Sequence, residues 1–360
     1  MPSRIPQVIL DADAAHHRVL QRVSFSRYLN PINDEEARMA FLRGAEAPPF
    51  VYHPLVEADE LLRELDGLRP PTDHPAGRLV NRCVDSTALL VLALRDRSAS
   101  AFDALARLSR WYPEAEVLSL DLPDEEGPIL PSDVDAAQIM ERLRAALAER
   151  GLRGWVVEAD PVMSARVLVD GAKQIIRVKP RARFNARDLD RLVVHEIDVH
   201  ATRSVNGAAQ ELRCFETGLP DSLHTEEGLA MYAEEVAGVS APGTLHRQLQ
   251  VVRAIDKARG AGFREVFDAI REEHGAGLAW SICHRIKRGL ARPEEPGVYA
   301  KDSVYLVGRM RVERWLRRGG DIALLYVGKV GLDDPVATWL AEGWLRPRPV
   351  PGFWRRLREA

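Results

Sequence analysis

The stretch VVHEIDVH, residues 193–200, decides how this chain is read. Two histidines, His195 and His200, flank Glu196 on what the surrounding pattern predicts to be a helix. In the pattern H-E-x-x-H the histidines stand at i and i+4, on one face, where both can reach one metal ion. Here they stand at i and i+5. On an ideal α-helix, residues five apart differ by about 140° in direction, too wide for two imidazoles to meet. A π-type turn, with about 4.4 residues per turn, brings them back to within roughly 50° of each other. The spacing therefore predicts either a helix with a π-bulge between the histidines or two unrelated side chains.

The context favours a long helix. ARFNARDLDRLVVHEIDVHATRSVNG carries Asn185 as a candidate N-cap, with Asp188 three residues on in the capping-box position. Asn206-Gly207 reads as the stop. Just upstream, WVVEAD, ARVLVDG and QIIRVKP are rich in Val and Ile and separated by turn residues, predicting three antiparallel strands. QIIRVKP is the expected strand for holding an extended peptide by β-addition.

The first 150 residues read mainly as helices, among them 34–44, 56–68, 81–97, 100–112 and 134–151, with EVLSLDLP (116–123) as a short strand. After residue 207 helices return: HTEEGLAMYAEEVAG, GTLHRQLQVVRAIDKARG, FREVFDAIREEHG, LAWSICHRIKRG and DSVYLVGRMRVERWLRRGG. The expected architecture is α+β and mostly helical, with a small antiparallel sheet beside the helix of His195. Three regions are expected: a mainly helical 1–150, a catalytic 151–345, and a Pro/Arg-rich tail, 346–360, read as solvated.

Composition sets outer limits. The chain has 360 residues, 46% of them hydrophobic, enough for a substantial core. Lys+Arg number 50 against Asp+Glu 53, a net charge of -3, which offers no electrostatic drive toward nucleic acid or an anionic membrane. Three distant cysteines form no disulfide framework, and Cys214 reads as a buried thiol. Neither a signal-peptide pattern nor an 18-residue apolar run is visible, so a cytoplasmic location is expected. His16-His17 has no acidic cluster beside it and reads as solvated.

TEEGLA, residues 225–230, gives the histidine pair a partner. Metal sites with two histidines need a third ligand. Glu226 and Glu227 both qualify, and Gly228 permits close approach of a neighbouring helix. The chain between His200 and Glu227 is long enough to end one helix, cross a loop and return.

The span HEIDVHATRSVNG…FETGLP…HTEEGLAMYAEE resembles the QEGLA-motif proteins. Their vertebrate members are the microtubule-associated tyrosine carboxypeptidases, zinc metallopeptidases that remove a C-terminal tyrosine from tubulin. The likeness extends to YLNPINDEEA, PPFVYHPL and LRDRSASAF upstream, and to KRGL and GVYAKDSVYLVG downstream.

The resemblance implies a gluzincin-like zinc metallopeptidase with one zinc per chain. His195, His200 and Glu227 would be its ligands, and Glu227 is preferred to Glu226 because QEGLA can carry Gln at the first position. Glu196 would be the general base of peptide hydrolysis. Asp198 and Val199 stand where the family pattern has Gly and Thr, so the bulge must form from bulkier residues. Asp198 reads as a surface acid or as a hydrogen-bond partner behind a ligand imidazole. Tyr305 is the leading candidate to donate to the oxyanion, with His224 and Tyr232 behind it. Lys301, Arg288 and Arg203 are candidates to hold a substrate carboxylate. The expected partner is a peptide or protein, with carboxypeptidase action favoured. A catalytically silent zinc-binding regulator on the same scaffold is the alternative.

Overall fold

The long helix packs against one face of the small sheet, and the other elements are helices. The computed structural model describes residues 5–123, 130–161, 163 and 165–354. Eight helices come first: α1 (Gln7–Arg22), α2 (Phe25–Leu29), α3 (Asp34–Leu42), α4 (Ala58–Gly67), α5 (Pro75–Asp96), α6 (Ala99–Leu108), α7 (Ala115–Leu118) and α8 (Ala136–Glu149). Strands β1 (Val156–Ala159), β2 (Val167–Asp170) and β3 (Ile175–Val178) lead into α9 (Ala186–Leu192), a π-helical segment (Val193–Ala201) and α10 (Thr202–Ala208). Then follow α11 (Cys214–Thr217), α12 (Ser222–Ala237), α13 (Thr244–Ala258), α14 (Phe263–Lys287), α15 (Val304–Arg317), α16 (Ile322–Leu325) and α17 (Val336–Glu342). No helix among the described residues is long and apolar enough to cross a membrane.

The predicted start of the long helix is where the structure places it. Asn185 and Asp188 form a reciprocal capping box, each side chain accepting the other's backbone N–H at 3.2 Å. Asp135 and Gln138 start α8 in the same way. These caps satisfy backbone donors that a helix N-terminus otherwise leaves open.

The sheet is mixed rather than antiparallel. Its order is β1-β3-β2, with β3 antiparallel to β2 and parallel to β1. A tight 3-10 turn, Gly171–Lys173, folds β3 straight back on β2, and β1 takes the remaining edge of β3. QIIRVKP is thus the central strand, hydrogen-bonded on both sides, and cannot accept a peptide by edge addition. The outer edges belong to β1 and β2, and on the β1 side Arg144 of α8 already donates to Val157 O at 2.8 Å.

EVLSLDLP forms the short helix α7 and an extended tail, not a strand. Its carbonyls are taken by side chains of α13: Arg253 donates to Leu120 O at 2.7 Å, and His246 Nδ1 lies 2.9 Å from Leu122 O. Its apolar side chains pack on Leu249, Val252 and Leu306.

The largest core draws α1, α4, α5 and α6 together with α11, α13 and α14. Burial in it overturns the reading of His16 and His17 as solvated: they are 3% and 9% exposed on α1. His16 Nε2 lies 2.9 Å from Thr87 Oγ1 of α5. A second core places α8 and the sheet against Leu192, Val193 and Ile197, and a third places α12 and α15 against Val194 and Val199. The π segment is therefore clamped between two cores.

The C-terminal chain straps this helix down. Arg203 donates to Leu325 O and Val330 O at 2.8 and 2.7 Å. Asn206 donates to Tyr326 O and Pro349 O, and Gln210 to Val327 O and Arg346 O. The expected solvated tail is docked as far as Trp354, which is 2% exposed and donates to Tyr326 Oη at 2.8 Å. Residues 355–360 lie outside the described residues.

Candidate metal centre

The expected single bulge is a nine-residue π segment, Val193–Ala201. Thr202 Oγ1 donates to Ile197 O at 2.8 Å, a carbonyl that also accepts the Thr202 backbone N–H. The π spacing turns both histidines to one face, with ring centroids 4.8 Å apart and planes at 81°.

Helix α12 supplies the third group. Gly228 meets Gly308 of α15 so closely that a Cβ there would lie 2.1 Å from Gly308 C. This crossing fixes Glu227, one residue earlier, over the histidine pair. Its Oε2 lies 3.6 Å from His195 Nε2 and 3.5 Å from His200 Nε2. These three ligand atoms all fall within 4.8 Å of one another. Two ligands bonded at about 2.1 Å in a tetrahedral site are about 3.4 Å apart, so the spacing fits two imidazoles and a carboxylate around one cation. Glu227 Oε2 is buried with no hydrogen-bond partner. A buried polar atom in that state calls for an ion or water to satisfy it.

Each imidazole is held from behind. His195 Nδ1 lies 2.8 Å from Glu234 Oε1, and His200 Nδ1 lies 2.8 Å from Glu226 Oε1. Glu226 also pairs with Arg203, and with Lys329 at 3.2 Å. Glu234 pairs with Arg191 at 3.1 Å. Burial pushes the Glu226 carboxyl up, but Lys329, Arg203 and His200 outweigh it and hold the group well below its ordinary value. Glu227 is likewise held low, by His195 and His200 against burial. Burial disfavours charge on His195, yet the facing carboxylates of Glu227 and Glu234 raise it to about 10. This is a strongly anionic setting, suited to a divalent ion.

The structure brings some expected residues to the triad and keeps others away. Glu196 is 7% exposed, and its side chain makes no hydrogen bond or ion pair with protein among the described residues. It acts electrostatically on both His195 and Tyr305. Tyr305 sits on α15, less than one turn before Gly308. Burial and then the charge of Glu227 push its phenol well above the ordinary value. Lys301 lies within electrostatic reach of Glu227. Arg288 is turned to Asp302, at 3.9 Å, and stands over the Tyr299 ring.

Arg203 is not available to a substrate carboxylate. It is fully buried behind Glu226, and its guanidinium is taken by that carboxylate and two carbonyls. Asp198 is neither a surface acid nor a partner of a ligand imidazole. It is 4% exposed and accepts two hydrogen bonds from Arg150, at 2.7 and 3.1 Å.

Glu234, Arg191 and Lys329 escaped the sequence reading. Glu234 lies just over two helical turns beyond Glu226, a usable signal. It also lies seven residues beyond Glu227, on the same helix face, whereas Glu235 is turned about 100° further round and pairs with Arg309 instead.

Fold and site together define an α+β protein in which a π-widened helix and a glutamate helix build a His-His-Glu triad of metal-ligand type. Residues 115–360 match the model of the family described as microtubule-associated tyrosine carboxypeptidase. The chain is 31% identical over 231 residues to microtubule-associated tyrosine carboxypeptidase 1 of Mus musculus, and 32% identical over 231 residues to that of Homo sapiens. Each match covers 61% of this chain and 48% of the relative, so the chain spans about half the length of the curated relatives it matches. The chain belongs to the microtubule-associated tyrosine carboxypeptidase family.

Proposed function

We propose that the chain is a zinc-dependent peptidase of gluzincin-like build that removes residues from a peptide or protein C-terminus. The observation that carries this reading is the convergence of His195 Nε2, His200 Nε2 and Glu227 Oε2, with Glu196 unpaired beside them. His-His-carboxylate sets are catalytic zinc ligands in other peptidases, and they leave one coordination position open. Bound there, zinc would polarise the scissile carbonyl and lower the pKa of a water toward about 7.

The chain's own residues would do the rest. Glu196 takes a proton from the attacking water and returns it to the leaving amine. Tyr305, kept protonated by burial and by the charge of Glu227, is the group able to donate to the developing oxyanion. Lys301 and Arg288, both beside Asp302, would receive the terminal carboxylate. Carboxypeptidase action is favoured because the relatives carry that name, and peptides ending in tyrosine are the first substrates to try. The three free, buried thiols suit a reducing cytoplasm.

Two measurements test the proposal. Purified protein should hold about one zinc per chain, lost in Glu227→Gln. A peptide library presented with free and with amidated C-termini should be cut only in the free form. Equal cleavage of both would show a different peptidase action, and no zinc after loading would remove the metal reading.

A further inference from the structure

Glu226 and Glu227 are neighbours in sequence, yet they meet His200 on opposite nitrogens. Glu227 Oε2 faces Nε2, and Glu226 Oε1 lies against Nδ1. His195 is bracketed in the same way, by Glu227 at Nε2 and by Glu234 at Nδ1. Building on the metal reading above, we propose that Glu226 and Glu234 are positioning residues that fix the tautomer and ring direction of the two ligand histidines.

A neutral imidazole carries one N–H and one lone pair, and only the lone pair can bind a cation. A carboxylate oxygen accepts and cannot donate. Placed 2.8 Å from each Nδ1, it selects the tautomer with the proton there and the lone pair on Nε2. Both Nε2 atoms then face the same point as Glu227 Oε2.

The two carboxylates are themselves fixed. Glu226 is 5% exposed and bound through both oxygens: Oε1 by His200 and Lys329, Oε2 by Arg203. Glu234 is 3% exposed and bound through Oε1 by His195 and Arg191, with Arg191 held in turn by Asp188 at 2.8 Å. All three glutamates belong to α12. One rigid element therefore supplies a ligand and both orienting groups, so the ligand geometry does not depend on how separate loops settle.

Glu234 gives the clean test, because Arg191 keeps Asp188 as a partner when Glu234 is removed. At Glu226 the same change would leave fully buried Arg203 without its counter-charge. Three variants are compared: Glu234→Ala, Glu234→Gln and Glu227→Gln. Far-UV circular dichroism and urea unfolding of the metal-free proteins establish folding. Zinc affinity is read by competition with a chromophoric chelator, and site geometry by the visible spectrum after cobalt(II) loading.

Glu234→Ala should bind zinc about 10–100-fold more weakly and shift the cobalt bands. Glu234→Gln keeps an acceptor oxygen and should recover part of the loss. Wild-type zinc affinity with an unchanged cobalt spectrum in folded Glu234→Ala overturns the proposal. Wild-type affinity in Glu227→Gln would overturn the triad itself, a separate failure read from a separate variant.

Discussion

A single methyl group at position 228 should damage the proposed metal centre without touching any of its three proposed ligands. A Cβ on Gly228 would lie 2.1 Å from Gly308 C, 2.4 Å from Gly308 O and 2.5 Å from Arg309 N. The nearest of these is roughly 1.4 Å short of an ordinary ~3.5 Å contact. All three atoms are backbone, so no side chain can swing aside and α12 must move away from α15. Overpacking of this kind costs about 1–3 kcal/mol, and a backbone clash belongs at the upper end. The same displacement carries Glu227 with it. Metal–ligand distances tolerate only about 0.2 Å, so zinc affinity should fall together with stability. Gly277→Ala is the control, since it lies in the first turn after the break in α14 at Gly275, with no atom within 4 Å of its added Cβ. It should leave zinc binding unchanged and stability within about 0.5 kcal/mol of wild type. Urea unfolding and chelator competition on the two proteins read both quantities. Gly228→Ala with stability within about 0.5 kcal/mol of wild type and undiminished zinc affinity would refute the idea that this crossing places the ligand.

Glu196→Gln should retain zinc and lose turnover by a factor of about 10²–10⁴, measured on a cleavable peptide; unchanged turnover would remove Glu196 from the mechanism. Asp13, buried on α1, accepts the N–H of Arg213 and of Cys214, and burial raises its carboxyl to about 6. Its folded value lies above its unfolded one, so its contribution to stability is full below about pH 4 and lost as pH rises through about 6. Asp13→Asn should flatten that part of the stability–pH curve, and urea midpoints between pH 4 and 7 that fall as steeply as in wild type would count against this assignment. Arg150→Ala leaves the buried Asp198 carboxylate without its paired donors and should cost about 1–3 kcal/mol in urea unfolding; a loss below about 0.5 kcal/mol would show the pair to be incidental.

Local chemistry was legible in the sequence, and long-range pairing was not. The Asn185–Asp188 cap needs only four residues to be seen. The five-residue spacing of His195 and His200 demands a wider turn whatever surrounds it. Gly228 signalled a close helix crossing because nothing larger fits, although its partner Gly308 lies far along the chain. The fate of Asp198 depended on Arg150, 48 positions away, and that of Arg203 on carbonyls more than 120 positions away. Nothing near either residue marks it as buried. The sheet shows the same limit: three Val/Ile-rich segments identify strands and the tight turn pairs β2 with β3, but nothing local says which outer edge β1 takes. His16 and His17 looked solvated because their burial comes from α5 and α11, not from neighbours in sequence.

The strap over the long helix also bears on how this centre can change. Removing one residue between the histidines would restore the common i, i+4 spacing and, on paper, an ordinary metal helix. The five residues from His195 to His200 turn through about 410° at about 4.4 residues per turn, and four residues of an α-helix turn through about 400°, so the shorter count would leave the chain beyond the second histidine facing almost as it does now. Arg203, Asn206 and Gln210 would keep the carbonyls of Leu325, Tyr326, Val327 and Val330 that they now meet. The extra residue is a self-contained insertion: the wider turn absorbs it locally, and the strap beyond does not register it.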